Sequence, residues 1–428
     1  MDMVTDAKSA TGAAEQGAFG RRIVDLAARL AQWSETPDGL TCTYLTPTHR
    51  AVAAELRDLM RAAGMTAEID GVGNVVGRYA AADPAAKALI VASHYDTVLN
   101  AGSYDGRLGI LTGLAAVEHL HRSGRRLPFH LDVIGFAEEE GVRFSAHYIG
   151  SSAIAGRFDM RLLQWRDANG QSVADVIHKA GFDPEAIPSL ARRAQDLLGY
   201  LEVHIEQGPV LLQEGLPVGI VTSIAGTIRY GVAITGMVGH AGTVPMALRR
   251  DAAAAAAEIV LYVERRCAAA PTLVGTVGRL TVPGGAINVI PGRCELSLDI
   301  RAADDATRDA AASDVLAEIE RIGARRKVAI EIKEIQRAPA VPCSAPLQAK
   351  LAAAVKRAGI RPRYLPSGAG HDAVSFSGLT DIAMLFVRCG NGGISHSPLE
   401  TITPADADVA TRVLLDVLVN FETAHGAR

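Results

Sequence analysis

Hydrophobic and polar positions follow two rhythms along this chain. Amphipathic stretches of helical period open it, over Gly20 to Trp33 and Thr48 to Ala63. Between such stretches lie short, nearly unbroken apolar runs at Ala88 to Ala92, Phe129 to Ala137, Tyr200 to Val203 and Ile382 to Val387. A run that is apolar at every position has both faces buried, so these predict strands of a mainly parallel sheet with helices on both sides. The fold class is α/β, a mainly parallel mixed sheet.

The rhythm changes from about Thr227 to Gln336. There the pattern predicts strand Arg229 to Val238, helix Pro245 to Arg266, strands Leu273 to Val282 and Cys294 to Arg301, helix Asp304 to Arg321 and strand Val328 to Ile335. That βαββαβ order is the ferredoxin-like split unit, which closes on itself with its ends close together. It predicts an inserted α+β domain over 227–336, interrupting a larger domain made of 1–226 and 337–428. Pro339, Pro342 and Pro346 punctuate the return.

Each of the four apolar runs leads into side chains that can hold a metal. They are Ser93-His94-Tyr95-Asp96, Glu138-Glu139-Glu140-Gly141, His204-Ile205-Glu206-Gln207-Gly208 and, past a glycine-rich loop, Ser395-His396-Ser397. In an open α/β sheet, ligands bind beyond the carboxyl ends of the strands, so all four clusters are expected on one edge. Asp105, in a glycine-bounded turn before the amphipathic segment Leu108 to His121, can offer one oxygen to each of two cations. Imidazoles and carboxylates without a thiolate suit Zn²⁺, Mn²⁺ or Co²⁺. Asp96 can accept the second N–H of His94 and fix its tautomer. Of three consecutive glutamates, one can bind metal while a neighbour acts as general base.

Taken singly, these residues read as a capping histidine, a solvated loop or a turn; only their coincidence at strand ends points to a catalytic centre. Ordinary surface or core duty is expected of His49, His119, His121, His130, His147, His178 and His425. Arg301 ends an apolar strand, where a guanidinium needs an anion, either a bound carboxylate or a neighbouring acid.

Composition narrows the classes. The chain has 428 residues, 49% apolar and 21% charged, which excludes a disordered, collagen-like or low-complexity protein. Lys and Arg total 43 against 47 Asp and Glu, a net charge of −4, so there is no bulk electrostatic reason to bind nucleic acid or a membrane. The five cysteines are widely spaced and lack a C-x-x-C pair, which predicts neither disulfides nor a thiolate metal site and fits a reducing compartment. Asp2 and Asp6 stand where a leader would be basic, and no apolar run approaches the roughly 18 residues of a membrane span. A cytoplasmic location is expected.

Read together, SHYDTVLNAGSYDG, FAEEEGVRF, HIEQGPVL, GHAGTVPM, GAINVIPG, LDIRA, SGAGHDA and GGISHSP resemble the M20 metallopeptidase clan over about residues 20 to 425. Within it they resemble the amidohydrolase branch of allantoate amidohydrolases, N-carbamoyl-L-amino-acid hydrolases and β-ureidopropionases. The resemblance implies two divalent ions per chain, Zn²⁺ or Mn²⁺ with Co²⁺ also suited. His94, Asp105 and His204 would hold one, and Asp105, Glu140 and His396 the other, leaving Glu139 as general base. A histidine at His204, where peptidase relatives carry an acid, implies ureido rather than peptide cleavage.

The inserted domain is expected to be a lid and dimerisation domain of a homodimer. It would contribute in trans His240, which polarises the scissile carbonyl, and an Asn288/Arg301 pair that grips the substrate carboxylate. Gln207 is expected to hydrogen-bond the ureido group, and Gly370 and His371, with Asp372, to form the pocket. The implied activity is hydrolysis of a linear C–N amide bond in an anionic ureido substrate, allantoate first, with ammonia released. N-carbamoyl-L-amino acids or N-carbamoyl-β-alanine are the alternative substrates, and a catalytically silent binding protein on the same fold is the remote alternative.

Overall fold

The computed structural model describes residues 17–422, so Asp2, Asp6 and His425 lie outside the described residues. The chain forms two compact units: Met1–Val221, Cys343–Leu365 and His371–Arg428 make one, and Thr222–Pro342 with Pro366–Gly370 the other.

The first unit opens with helices α1 (Ala18–Leu30) and α2 (Pro47–Ala62). The Thr46 side chain accepts the amide of His49, and Pro47 takes the first turn, where its missing N–H costs nothing. There follow β1 (Thr66–Ile69), β2 (Val75–Tyr79), β3 (Ala88–His94), α3 (Arg107–Arg122), β4 (His130–Phe136), α4 (Ile149–Ile154), β5 (Leu197–Ile205) and β6 (Val218–Ile224). The second unit carries β7 (Gly226–Thr235), β8 (Gly239–His240), α5 (Ala252–Cys267), β9 (Leu273–Thr276), β10 (Leu280–Thr281), β11 (Val289–Ile290), β12 (Arg293–Ala302), α6 (Asp305–Arg326), β13 (Ala329–Ala338) and β14 (Val341–Pro342). Helix α7 (Ala345–Arg357), β15 (Tyr364–Ser367), β16 (Ile382–Val387) and α8 (Pro404–Val419) complete the chain.

Strands β4, β3, β5 and β16 are parallel neighbours at the centre of the first unit's sheet. Every residue of β3, β4 and β16 is buried, the physical counterpart of their unbroken apolar runs. Strands β1 and β2 join one side of this core and β6 the other, all antiparallel. Helix α3 is buried at every position from Arg107 to Val117, packed on β3 and β5 and covered by α1 and α8.

Because β4 and β3 pair from Ala88↔His130 to His94↔Phe136, and β16 and β5 from Ile382↔Tyr200 to Val387↔Ile205, the carboxyl ends of these strands are level. The apolar pattern does not reveal β1, β2 or β6. The first two are short strands with polar positions, β1 at the sheet edge and β2 next to it, and β6 pairs with strands distant in sequence.

In the second unit the strand order is β10-β12-β7-β13, with β9 also on β12 and every pairing antiparallel. Helices α5 and α6 pack on this sheet. That is the split βαββαβ arrangement, although three expected elements change. The strand predicted to Val238 stops at Thr235, where the chain leaves the ladder and the Met237 amide donates to the Arg250 carbonyl. The strand predicted over Leu273 to Val282 breaks into β9 and β10. The helix predicted from Pro245 begins at Ala252, where the Asp251 side chain accepts the amide of Ala254. Among the described residues no helix is long and apolar enough to cross a membrane.

Candidate active site

Asp105 is the hub of the first unit's carboxyl edge. It lies in the turn between β3 and α3 and is only 3% exposed. Its Oδ1 stands 3.4 Å from His94 Nε2 and 3.2 Å from His204 Nε2, and its Oδ2 stands 3.3 Å from His396 Nε2. His396 Nε2 is in turn 3.6 Å from Glu140 Oε1. Two donor groups result, His94/Asp105/His204 and Asp105/Glu140/His396, each with its donor atoms within 4.8 Å of one another.

The chain brings these together simply: His94 ends β3, Glu140 follows β4, His204 is the penultimate residue of β5 and His396 follows β16. Gly106 is required beside Asp105, since its φ is +67° and a Cβ would come within 2.5 Å of the His94 ring.

Neighbouring groups orient the hub. His94 Nδ1 lies 3.3 Å from Asp96 Oδ1, and the Asp96 carboxylate accepts the backbone amides of Glu139 and Glu140 at 3.1–3.2 Å. His204 donates from Nδ1 to the Ile205 carbonyl at 2.9 Å, which leaves the Nε2 lone pair facing Asp105. Gln207, at φ 55°, donates from Nε2 to Asp105 Oδ2 at 2.8 Å, while its Oε1 is buried without a partner among the described residues. His371 is buried with its ring 4.5 Å from that of His204, edge-on, and the neighbouring Asp372 is fully buried.

Sequence reasoning missed three contributors. Glu400 accepts the amides of Tyr104 and Asp105 at 2.9 and 3.1 Å. Ser395 Oγ lies 3.0 Å from Asp105 Oδ2 and 2.9 Å from Glu400 Oε2, and its single proton serves one of them. Glu202 accepts from Ser93 Oγ, Tyr200 Oη and the Ala373 amide, and groups with His204 and His371. Glu202 had a signal, a carboxylate two residues from His204 inside an apolar run. Glu400 had none, lying 295 residues from the turn it supports.

The electrostatics are those of an acid cluster awaiting cations. Burial raises Glu139 well above the usual carboxylate range, with Glu140 adding repulsion against an opposing His94. Burial and then the charge of Asp105 push Glu140 up to about 7. Asp105 stays low in spite of burial because His204, His396 and His94 surround it, and Asp105 raises His396 to about 9. Burial lowers His94 and His204, but Asp105 outweighs it and leaves both raised.

The N···O separations of 3.2–3.4 Å are long for hydrogen bonds. They match the edge of a tetrahedron, about 3.3–3.4 Å, around an ion with ligands at about 2.0–2.1 Å. The donor set therefore fits divalent metal.

In the second unit, β8 pairs with β11 at His240↔Val289, and the Ala241 amide donates to the Asn288 carbonyl at 2.9 Å. His240 and Asn288 are thus neighbours, and both are exposed. His240 Nδ1 accepts the Gly242 amide at 3.1 Å, which leaves Nε2–H as a free donor. Arg301 lies at the other end of β12. The β12–β7 register runs from Arg293↔Thr235 to Arg301↔Thr227, eight residues or about 26 Å.

Arg301 makes a bidentate pair with Asp299, 2.9 Å at each nitrogen, and donates from Nη1 to the Gly368 carbonyl at 2.8 Å. It borders a cavity of about 490 Å³ together with Arg229 and Ser297. Gly370 closes the segment Pro366–Gly370 that reaches it. Asn288 thus lies beyond the Arg293 end of β12, and Arg301 lies near the opposite end of the same strand.

Residues 90–420 match peptidase family M20/M25/M40. The chain belongs to that family. This M20 chain is 39% identical over 396 residues to N-carbamoyl-L-amino acid amidohydrolase of Geobacillus stearothermophilus, covering 92% of this chain and 97% of the relative. It is 38% identical over 423 residues to allantoate deiminase 1 of Glycine max, covering 92% and 87%. Among solved structures it is similar to an amidase of the hydantoinase/carbamoylase family from Burkholderia multivorans, with a TM-score of 0.88, 31% identity, and 94% and 97% covered. It is a carbon–nitrogen hydrolase of the amidohydrolase kind within a metal-dependent family.

Proposed function

We propose that this enzyme hydrolyses the C–N bond of a ureido group on a small carboxylate, allantoate in the first place, with release of ammonia. The observation that carries this reading is the convergence of His94, His204, His396 and Glu140 around Asp105, with Glu139 beside them. His94, Asp105 and His204 would hold one divalent ion and Asp105, Glu140 and His396 a second, with Zn²⁺ or Mn²⁺ suiting the donors, and Co²⁺ also compatible. When bound, such a pair supplies Lewis acidity towards a carbonyl and makes water a stronger nucleophile.

The protein's own residues do the rest. Glu139, only 7% exposed and anchored through its amide to Asp96, takes the proton of the attacking water and returns it to the leaving nitrogen. The unpartnered Oε1 of Gln207 accepts a ureido N–H. His371 shapes the pocket wall, with Gly370 beside it in sequence. His240 offers Nε2–H to the scissile carbonyl, Asn288 assists it, and Arg301 exchanges Asp299 for the substrate carboxylate.

The second unit serves as lid and dimerisation domain. Since the His240/Asn288 pair lies beyond the Arg293 end of β12 and Arg301 lies near the other end, a site using both would draw them from two subunits of a homodimer. The exposed apolar side chains Val238, Met246, Leu248, Leu261 and Ile287 support such an interface.

A second reading, cleavage of N-carbamoyl-L-amino acids, is favoured by the name of the Geobacillus relative. The deciding experiment measures ammonia release from allantoate, N-carbamoyl-L-amino acids and N-carbamoyl-β-alanine in parallel, with Mn²⁺ or Zn²⁺. Faster turnover of allantoate is expected. Preference for a carbamoyl amino acid would replace allantoate, and inactivity on all three would overturn the ureido reading.

A further inference from the structure

Tyr148 adopts φ 63° and ψ 28°, the left-handed region, where a bulky side chain is an outlier held by its surroundings. The surroundings are the loop that carries the acids. The amide of Ile149 donates to the Glu138 carbonyl at 2.9 Å, and His147 Nδ1 lies 3.2 Å from the Glu139 carbonyl. The chain reverses at Tyr148 so that its neighbours are stitched to the backbone of Glu138 and Glu139. Gly or Asn would make this turn with less strain.

The hydroxyl differs from those of the four fully buried tyrosines in this unit. The fully buried Tyr44, Tyr79, Tyr95 and Tyr200 donate to Val72 O, Arg125 O, Gly73 O and Glu202 Oε2 respectively. Tyr148 is half-buried, and its hydroxyl neither has a hydrogen-bond partner among the described residues nor is sealed from solvent. Those two backbone links set Tyr148 beside the Glu138–Glu139 segment, and the charges that act on its hydroxyl are carboxylates, Glu139 first and then Asp372, Glu202 and Glu140.

We propose that Tyr148 contacts the substrate, its O–H donating to the oxygen of the ureido or carbamoyl group that is cleaved beside Glu139. The inference rests on the ureido reading. A strained backbone and an unused donor at the base are what a residue kept for binding looks like, whereas a structural tyrosine would have its hydroxyl satisfied, as the other four do.

The test is Tyr148→Phe, which keeps the ring and the backbone. Metal content and melting temperature should match wild type, while kcat/KM falls about tenfold to a hundredfold. A sulfur analogue of the substrate, whose C=S accepts hydrogen bonds weakly, should lose much less from the substitution than the oxygen substrate does. A Phe variant as fast as an active wild type overturns the inference alone. So does an equal loss on oxygen and sulfur substrates, which would make Tyr148 a prop for Glu139. A wild type inactive on every ureido substrate overturns the functional reading and this inference with it.

Discussion

The Asp96 carboxylate accepts the backbone amide of Glu139 at 3.1 Å across 43 residues of sequence, while its Oδ1 stands 3.3 Å from His94 Nδ1. The Asp96 backbone carbonyl also lies 3.2 Å from His94 Nδ1, so carbonyl and carboxylate of this one buried residue together fix the tautomer of His94 and the position of Glu139. Asp96→Ala should lower Mn²⁺ affinity about 10- to 100-fold and reduce turnover even at saturating metal. Calorimetric titration of the metal-stripped protein, followed by kinetics in excess metal, measures both; full turnover at saturating Mn²⁺ would leave Asp96 a purely structural brace.

Glu139→Gln tests the base. The amide keeps the shape, and both donor groups around Asp105 exclude Glu139. Metal content by elemental analysis should stay at the wild-type level while kcat drops about 10²- to 10⁴-fold. Near-normal kcat would sink the assignment.

Stability should carry an acid limb from His49. This ring is wholly buried, its Nε2 lies 2.7 Å from the Ala137 carbonyl, and burial lowers its pKa from 6.5 to about 4. The unfolded chain binds the proton at the higher pH, so the contribution of His49 is complete above pH 6.5 and is lost as pH falls towards 4. It amounts at most to something on the order of 3 kcal/mol. Urea midpoints between pH 7.5 and 4.5 should fall more steeply for wild type than for His49→Gln; parallel slopes would refute this.

The separation of His240 from Arg301 leads to a subunit-mixing experiment. Glu139→Gln and His240→Ala enzymes should each be nearly inactive. Unfolded and refolded together in equal amounts, they should regain about a quarter of wild-type activity, because half the dimers are mixed and each mixed dimer holds one intact site. Activity no higher than that of the parents would place His240 in its own chain's site.

Much of the first unit was legible locally. Ile382 to Val387 is a strand because no position on it tolerates water, and the same holds for β3 and β4. His94, Glu140, His204 and His396 were legible because each sits at or past the end of such a run. The outer strands β1, β2 and β6 were not, since their pattern is short and their stability lies in partners elsewhere. Nor were Glu400 and Ser395, polar residues in a loop whose only distinction is the acid they meet.

By itself, then, the sequence determined which segments must be buried on both faces and which ligand types follow them, because burial and strand period are written residue by residue. Tertiary structure alone decided that Glu400 holds the Asp105 turn, that the chain reverses at Tyr148 in the left-handed region, and that His240 is paired beside Asn288 at one end of the inserted sheet. Those are consequences of pairing and chain reversal over distance, and no local pattern of hydrophobic and polar residues encodes them.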